Sequence, residues 1–241
     1  YAAQGLFLDG ENNKKLRILA ISDTHGFHDQ FLASDFKDLD MIIFAGDCSN
    51  TMSPAINANE VTQFLNWYDD IPVKYKIMIA GNHCTSIEHG LIRPSQYHES
   101  IIYLEHESVN IEGINIFGSP YTPRYGTWSF MKNKGKLDPY WQQIPENTDI
   151  LVTHGPPKGI LDLSRNRLDE LEFCGDKELL NHVYRVKPKH HIFGHIHNFK
   201  DCLNKGSKTV HDIPTQFHNV SCVTDAKFEF GLTSKGIRIE I

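Results

Sequence analysis

The sequence predicts an α/β fold of two packed mixed β-sheets with helices on their outer faces, and three observations carry that prediction. Short apolar runs rich in β-branched residues recur along the chain, each closed by a polar or glycine-containing loop. Segments of helical period lie between the early runs. The second half adds a hairpin and a β-rich tail, which a uniformly parallel doubly wound sheet would not contain.

Taken in order, residues 16–21, 41–45, 76–80, 149–153 and 191–193 read as buried strands. Residues 57–68 read as a helix, because Val61, Phe64, Leu65 and Tyr68 recur at spacings of three and four. Residues 101–104 form a further strand beside a hairpin over 109–117, turned at Glu112-Gly113. A helix over 175–186 stops ahead of Pro188, and 215–241 returns to strand. Residues 119–145 have no period and are rich in aromatics, Pro, Gly and Lys. They read as a long loop or cap, ordered rather than disordered because of Tyr121, Tyr125, Trp128, Phe130, Tyr140 and Trp141. One domain over 1–241 is expected, with no repeat and no low-complexity tract.

Composition narrows the function classes. With 40% hydrophobic and 22% charged residues the chain is ordinary globular protein, and no run approaches the roughly 18 apolar residues of a membrane span, so no membrane partner is expected. A formal charge of −6 disfavours long nucleic acids, whose affinity comes from Lys and Arg neutralising phosphates; small phosphorylated substrates fit better. Cys48, Cys84, Cys174, Cys202 and Cys222 are odd in number, scattered and without a CxxC pair, which points to a reducing, cytoplasmic location. The sequence starts at Tyr1 rather than Met, as expected after processing or trimming, and a lost targeting segment would leave no trace.

The chemistry sits where the predicted strands end. Asp23 and His25 follow the first run, Gly46-Asp47 the second and Gly81-Asn82-His83 the third; His154-Gly155 closes the fourth and Gly194-His195-Ile196-His197 the fifth. In open α/β sheets ligands bind at the carboxyl ends of strands, so these endings should converge on one crevice. Singly, Asp23 or Asp47 reads as a capping or turn aspartate, and each neighbouring glycine as the requirement of a tight turn. Carboxylate, amide and imidazole donors together suit first-row transition metals.

The ordered set D-x-H, GD, GNH, H-G and GHxH resembles the motif series of the calcineurin-like metallophosphoesterases, over residues 17–222. Within that superfamily Ile79-Ala80-Gly81-Asn82-His83, Thr153-His154-Gly155-Pro156-Pro157 and Phe193-Gly194-His195-Ile196-His197 look most like the metallophosphoesterase-domain-containing phosphodiesterases. The resemblance implies the family's four-layer sandwich and two divalent transition-metal ions, with Mn expected first and Fe, Zn or Co as alternatives. One ion takes Asp23, His25 and His197; the other takes Asn82, His154 and His195; Asp47 bridges them. It further implies a hydroxide shared by the ions as nucleophile, His83 as general acid, and small phosphodiesters such as cyclic nucleotides as substrates. The alternatives are a phosphomonoesterase, a binding scaffold without catalysis, and a nuclease.

The sequence departs from the family in two places. Cys84 stands where an acidic residue usually follows GNH, and Cys84 and Cys48 read as small packing residues, with oxidation sensitivity as the alternative. The serine/threonine protein phosphatases carry GDxxDRG, but Gly46-Asp47-Cys48-Ser49-Asn50-Thr51-Met52 lacks the second aspartate and the arginine, which disfavours a protein phosphatase. Asn50 either orients His83 or is a plain turn asparagine. Arg124, in the aromatic stretch, either meets a phosphate or base or faces solvent. His28 either edges the pocket or, as the simpler reading, is a surface loop residue.

Overall fold

The structure is a computed structural model that describes residues 15–224 and 231–241. Its first half runs β1 (Arg17–Ile21), β2 (Met41–Ala45), α1 (Pro54–Asp70), β3 (Tyr75–Ile79), the single turns α2 (Thr85–Glu88) and α3 (Pro94–Tyr97), β4 (Ile101–Tyr103), β5 (Glu107–Ile111) and β6 (Ile114–Ser119). After it come the two-residue strands β7 (Thr122–Pro123) and β8 (Met131–Lys132), then α4 (Asp138–Trp141), β9 (Ile150–Thr153), β10 (Leu163–Arg165) and β11 (Leu171–Phe173). The chain closes with α5 (Lys177–Val186), β12 (His190–Phe193), β13 (Gly206–Val210), β14 (Ile213–Asn219) and β15 (Ile237–Glu240).

Two large sheets form, ordered β15-β1-β2-β3-β4 and β13-β14-β12-β9-β6-β5. Each has a parallel interior and antiparallel pairing at one or both edges, so both are mixed as predicted. Side-chain alternation sets the layers. On β1 and β2, Ile18, Ala20, Met41 and Ile43 face the second sheet, where they meet Ile150, Val152 and Ile192. The intervening Leu19, Ile21, Ile42 and Phe44 face outward onto Val61, Phe64, Leu65 and Tyr68 of α1. On the far side Leu151 and Phe193 pack against α5 through Leu179 and Val183. Helix, sheet, sheet, helix is the resulting order of layers.

Several boundaries differ from the sequence reading, each for a local reason. Helix α1 starts at Pro54, ahead of the predicted residue 57, because Pro is pre-organised for the first helical position although its turn carries no apolar period. Helix α5 begins at Lys177 rather than 175, since Asp176 is the N-cap and its side chain accepts from Glu178 N at 2.9 Å. The hairpin β10–β11 and strand β13 escape a periodicity search because the first two are three residues each, too short to show a period, and β13 is largely exposed without apolar alternation. Part of the strand-rich tail predicted over 215–241 falls on 225–230, outside the described residues; β14 and β15 flank that stretch. Residues 119–145 are ordered, as their aromatics imply. Trp141 and Phe130 are core, and the stretch is pinned by Ser129 N to Asn82 O at 3.1 Å and Phe130 N to Glu88 Oε1 at 2.8 Å.

Candidate metal centre

The carboxyl ends of β1, β2, β3, β9 and β12 meet at one edge, stitched by the backbone. Asp23 N donates to Gly46 O at 2.8 Å, Gly194 N to His154 O at 2.9 Å, and Cys222 N to Ser22 O at 3.0 Å. Asp23, His25 and His197 form one set of potential ligands and Asp47, His154 and His195 another, the donor atoms of each set lying within 4.8 Å of one another. Asn82 joins the second set, its Oδ1 2.9 Å from His154 Nε2. His83 also comes in, grouped with His25 and Asp47 at the same spacing. All eight side chains read from the sequence are thus brought together.

The backbone bends hard to aim them. Asp23, His25, Asp47 and His195 have φ of 52°, 44°, 63° and 68°, a left-handed region that non-glycine residues occupy at a cost, Asp and His more readily than most. The adjacent glycines serve approach more than turning. A Cβ on Gly194 would collide with Asp23 Oδ2 and Ser22 Oγ, and one on Gly81 would come within 2.6 Å of His154 Cε1.

Hydrogen bonds fix the rings. His25 Nδ1 faces Ser49 O at 3.2 Å and His154 Nδ1 faces Ala45 O at 2.8 Å, so each donates from Nδ1 to a carbonyl and leaves Nε2 to the centre. Asp23 is braced by His195 N at 3.0 Å and Ser221 Oγ at 2.9 Å, and Asp47 Oδ1 accepts from His83 N at 2.7 Å.

The electrostatics are those of a site built for added positive charge. Burial opposes ionisation of Asp23 and Asp47, yet His197 holds the first below its usual range and His154 the second. Burial likewise opposes a charged His154, but the charge and hydrogen bond of Asp47 carry it up to about 9. Burial pushes His25 down to about 4 and His195 down to about 3, so both are neutral, ready donors at pH 7. Two buried carboxylates with neutral imidazoles around them are a donor set for divalent transition cations.

The proton on His154 yields a measurable expectation. Loading divalent metal at pH 7 should expel about one proton per chain, since the ring must be neutral to ligate. Titration calorimetry in buffers of differing ionisation enthalpy reads this directly. Apparent affinity should climb with pH and level off above the His154 value of about 9; a pH-independent affinity would refute the assignment. In the metal-free fold the sign is opposite. Stability contributed by His154, whose pKa is raised from 6.5 to about 9, is fully present below pH 6.5 and disappears as pH rises through 9.

Asn57, which sequence reasoning missed, is fully buried on α1 and ties the helix to both ligand loops. Its Nδ2 donates to Ser49 Oγ at 3.0 Å, Thr51 O at 2.9 Å and His83 O at 2.8 Å, and its Oδ1 accepts from Ser86 N at 3.0 Å. Asn57→Ala orphans several of these groups at once and should destabilise the fold by ~2–4 kcal/mol in urea unfolding. A loss under ~1 kcal/mol would mean that water replaces the amide without difficulty. Only tertiary structure could single this residue out from the polar face of a helix.

Other expectations resolve individually. The Asn50 carbonyl, not its side chain, faces His83 Nδ1 at 3.2 Å, while its amide donates to His25 O at 3.0 Å. Arg124 is exposed and braces its own loop, bonding Asn133 Oδ1 at 3.0 Å and Met131 O at 3.1 Å. Its neighbours reach the centre instead: Tyr125 OH accepts from Asn82 Nδ2 at 3.2 Å, and the Trp128 ring lies 4.0 Å from that of His83. His28 is not a surface residue but is buried against Phe64 and Trp67, at 5.6 and 5.2 Å. Cys48 and Cys84 are fully buried in the first core with sulfurs 3.8 Å apart, as packing residues would be.

The sequence comparisons agree with this geometry. The family model for calcineurin-like phosphoesterases matches residues 16–199. Metallophosphoesterase domain-containing protein 1 of Homo sapiens is 34% identical over 218 residues, which cover 80% of this chain and 64% of that protein. Probable rhamnogalacturonate lyase C of Emericella nidulans is 34% identical over 195 residues, 76% of this chain but only 17% of that protein. The chain therefore spans less than two thirds of either relative. Among solved structures, phosphopantetheinyl hydrolase from Mycobacterium tuberculosis has the same fold, with a TM-score of 0.59 at 14% identity over 93% of this chain and 96% of that one. All five strand endings that build the centre lie inside the matched span, and the chain belongs to the calcineurin-like phosphoesterase family.

Proposed function

We propose that this phosphoester hydrolase is a dinuclear phosphodiesterase acting on small phosphodiesters, cyclic nucleotides among them. The observation that carries the reading is the pair of ligand sets, Asp23/His25/His197 and Asp47/His154/His195, with His83 beside both and Trp128 over it. Two divalent ions, manganese foremost, would be held by Asp23, His25 and His197 on one side and by Asn82, His154 and His195 on the other, with Asp47 between. When bound, such ions would supply positive charge to stabilise the phosphoryl group and would lower the pKa of bound water.

The chain's own groups do the rest. His83 donates from Nδ1 toward the Asn50 carbonyl, which leaves Nε2 to protonate the departing oxygen. Tyr125 and Trp128 offer ring faces to an aromatic substituent of the ester. A scaffold reading requires a lost ligand or a lost acid, and none of the eight side chains stands away from the cluster. The unpaired thiols favour the cytoplasm as the working compartment.

The test is a screen of the Mn²⁺-loaded chain against bis(4-nitrophenyl) phosphate, 4-nitrophenyl phosphate and cyclic nucleotides, with Asp47→Asn as blank. Diester turnover absent from the blank supports the reading. Faster monoester turnover would replace it with a phosphomonoesterase, and equal rates in enzyme and blank would remove it.

A further inference from the structure

We propose that Trp128 is a positioning residue for His83, its indole face fixing the imidazole in the orientation from which Nε2 meets the departing oxygen. The proposal rests on the reading of His83 as general acid. The polar contact of the ring is slack: Nδ1 reaches the Asn50 carbonyl at 3.2 Å, the long limit for an N–H···O bond, and the side chain is only half-buried. A ring held by one weak bond exchanges rotamers, and an acid displaced by about 1 Å loses much of its effect.

Two other rings close around it. The edge of His25 lies 4.8 Å away at 83°, and the indole of Trp128 covers the imidazole at 4.0 Å, tilted by 31°. Face and edge together leave the imidazole little room to turn. Trp128 has no share in the general packing, since it joins none of the three hydrophobic cores among the described residues. Its backbone is tied to the loop it covers. Ser129 N donates to the carbonyl of Asn82, the residue before His83, and Phe130 N donates to Glu88 on the short helix that follows. The stretch is closed at its base by Thr122 N to Phe130 O at 3.0 Å and Arg124 N to Lys132 O at 2.7 Å, and the Arg124 side chain braces it from outside. Indole and imidazole therefore ride on one hydrogen-bonded frame. Gly126 gives the indole its seat: a Cβ there would stand 3.3 Å from Trp128 Cδ1.

The test compares Trp128→Ala and Trp128→Phe in the Mn²⁺-loaded full chain, on cyclic nucleotides, whose leaving group is an alkoxide, and on bis(4-nitrophenyl) phosphate. Trp128→Ala is expected to lower kcat on cyclic nucleotides by about 10–10²-fold and on the nitrophenyl ester far less, with Trp128→Phe recovering most of the loss. On the His83→Asn background the alanine change should cost nothing more, because it acts through the missing ring. An equal loss in both ester classes, or a further loss in the double variant, would mean that Trp128 acts on the substrate by itself and overturns the proposal. A second readout needs neither metal nor turnover: carbon spin relaxation of the His83 ring, assigned by its absence from His83→Asn. The ring should be ordered in the wild type, mobile in Trp128→Ala and ordered again in Trp128→Phe. An unchanged ring in the alanine variant overturns the proposal. If neither ester is cleaved, the phosphodiesterase reading falls, and the order of the ring alone decides whether Trp128 positions it.

Discussion

His83→Asn is expected to lower kcat by ~10²–10⁴ while leaving the metal content of the chain unchanged. The main-chain N–H of His83, which donates to Asp47 Oδ1 at 2.7 Å, survives the substitution, so the support of that carboxylate is kept. What disappears is the ring, held between the Asn50 carbonyl at 3.2 Å and the Trp128 face at 4.0 Å. Proton donation matters in proportion to the basicity of the departing oxygen. The loss should therefore be large for alkyl esters and small for 4-nitrophenyl esters, whose leaving group needs no proton. Steady-state rates on both classes, with metal counted by emission spectroscopy, check this. A loss equal in both classes would leave His83 without an acid's role. A loss of metal would make it a ligand, as its grouping with His25 and Asp47 permits.

The residues that could be read from the sequence are those whose role follows from position at a strand end. Asp23, Asp47, Asn82, His154 and His195 each follow an apolar run, and parallel topology makes such runs end on the same edge. The glycines beside them were visible, but for a partly mistaken reason. Gly81 and Gly194 are there because a carboxylate, imidazole or hydroxyl from another strand end crosses where a Cβ would stand, a fact of three-dimensional packing that local turn rules do not contain. Asn57 was hidden for the same reason. A polar residue on a helix carries no mark of being buried until the loops of Asp47 and His83 close over it. The sheets themselves were legible wherever a strand is buried on both faces, and illegible at β10 and β11, three residues each and too short to show a period, and at β13, which is largely exposed without apolar alternation.

Asp47→Asn is expected to remove turnover and to split stability from metal binding. Asparagine tolerates the left-handed backbone at this position, φ 63°, and its Oδ1 can still accept from His83 N, so the fold should persist. Its charge is gone, however, from a site where Oδ2 stands 3.2 Å from His154 Nε2. Removing one member of a buried charge set costs ~3–5 kcal/mol, which in metal affinity is a factor of roughly 10²–10⁴. Without Asp47 the ring of His154 loses the partner that raises its pKa, so metal loading at pH 7 should no longer expel a proton. In the metal-free protein the substitution also removes the partner that stabilises a charged His154, a loss that outweighs the weaker repulsion it relieves between Asp47 and Asp23. The variant should therefore melt below the wild-type temperature without metal, and gain little when Mn²⁺ is added, whereas the wild type gains by mass action. An equal Mn²⁺-induced rise in Tm in both proteins would mean that the cations are held without Asp47, and the two ligand sets would then have to be treated as independent sites.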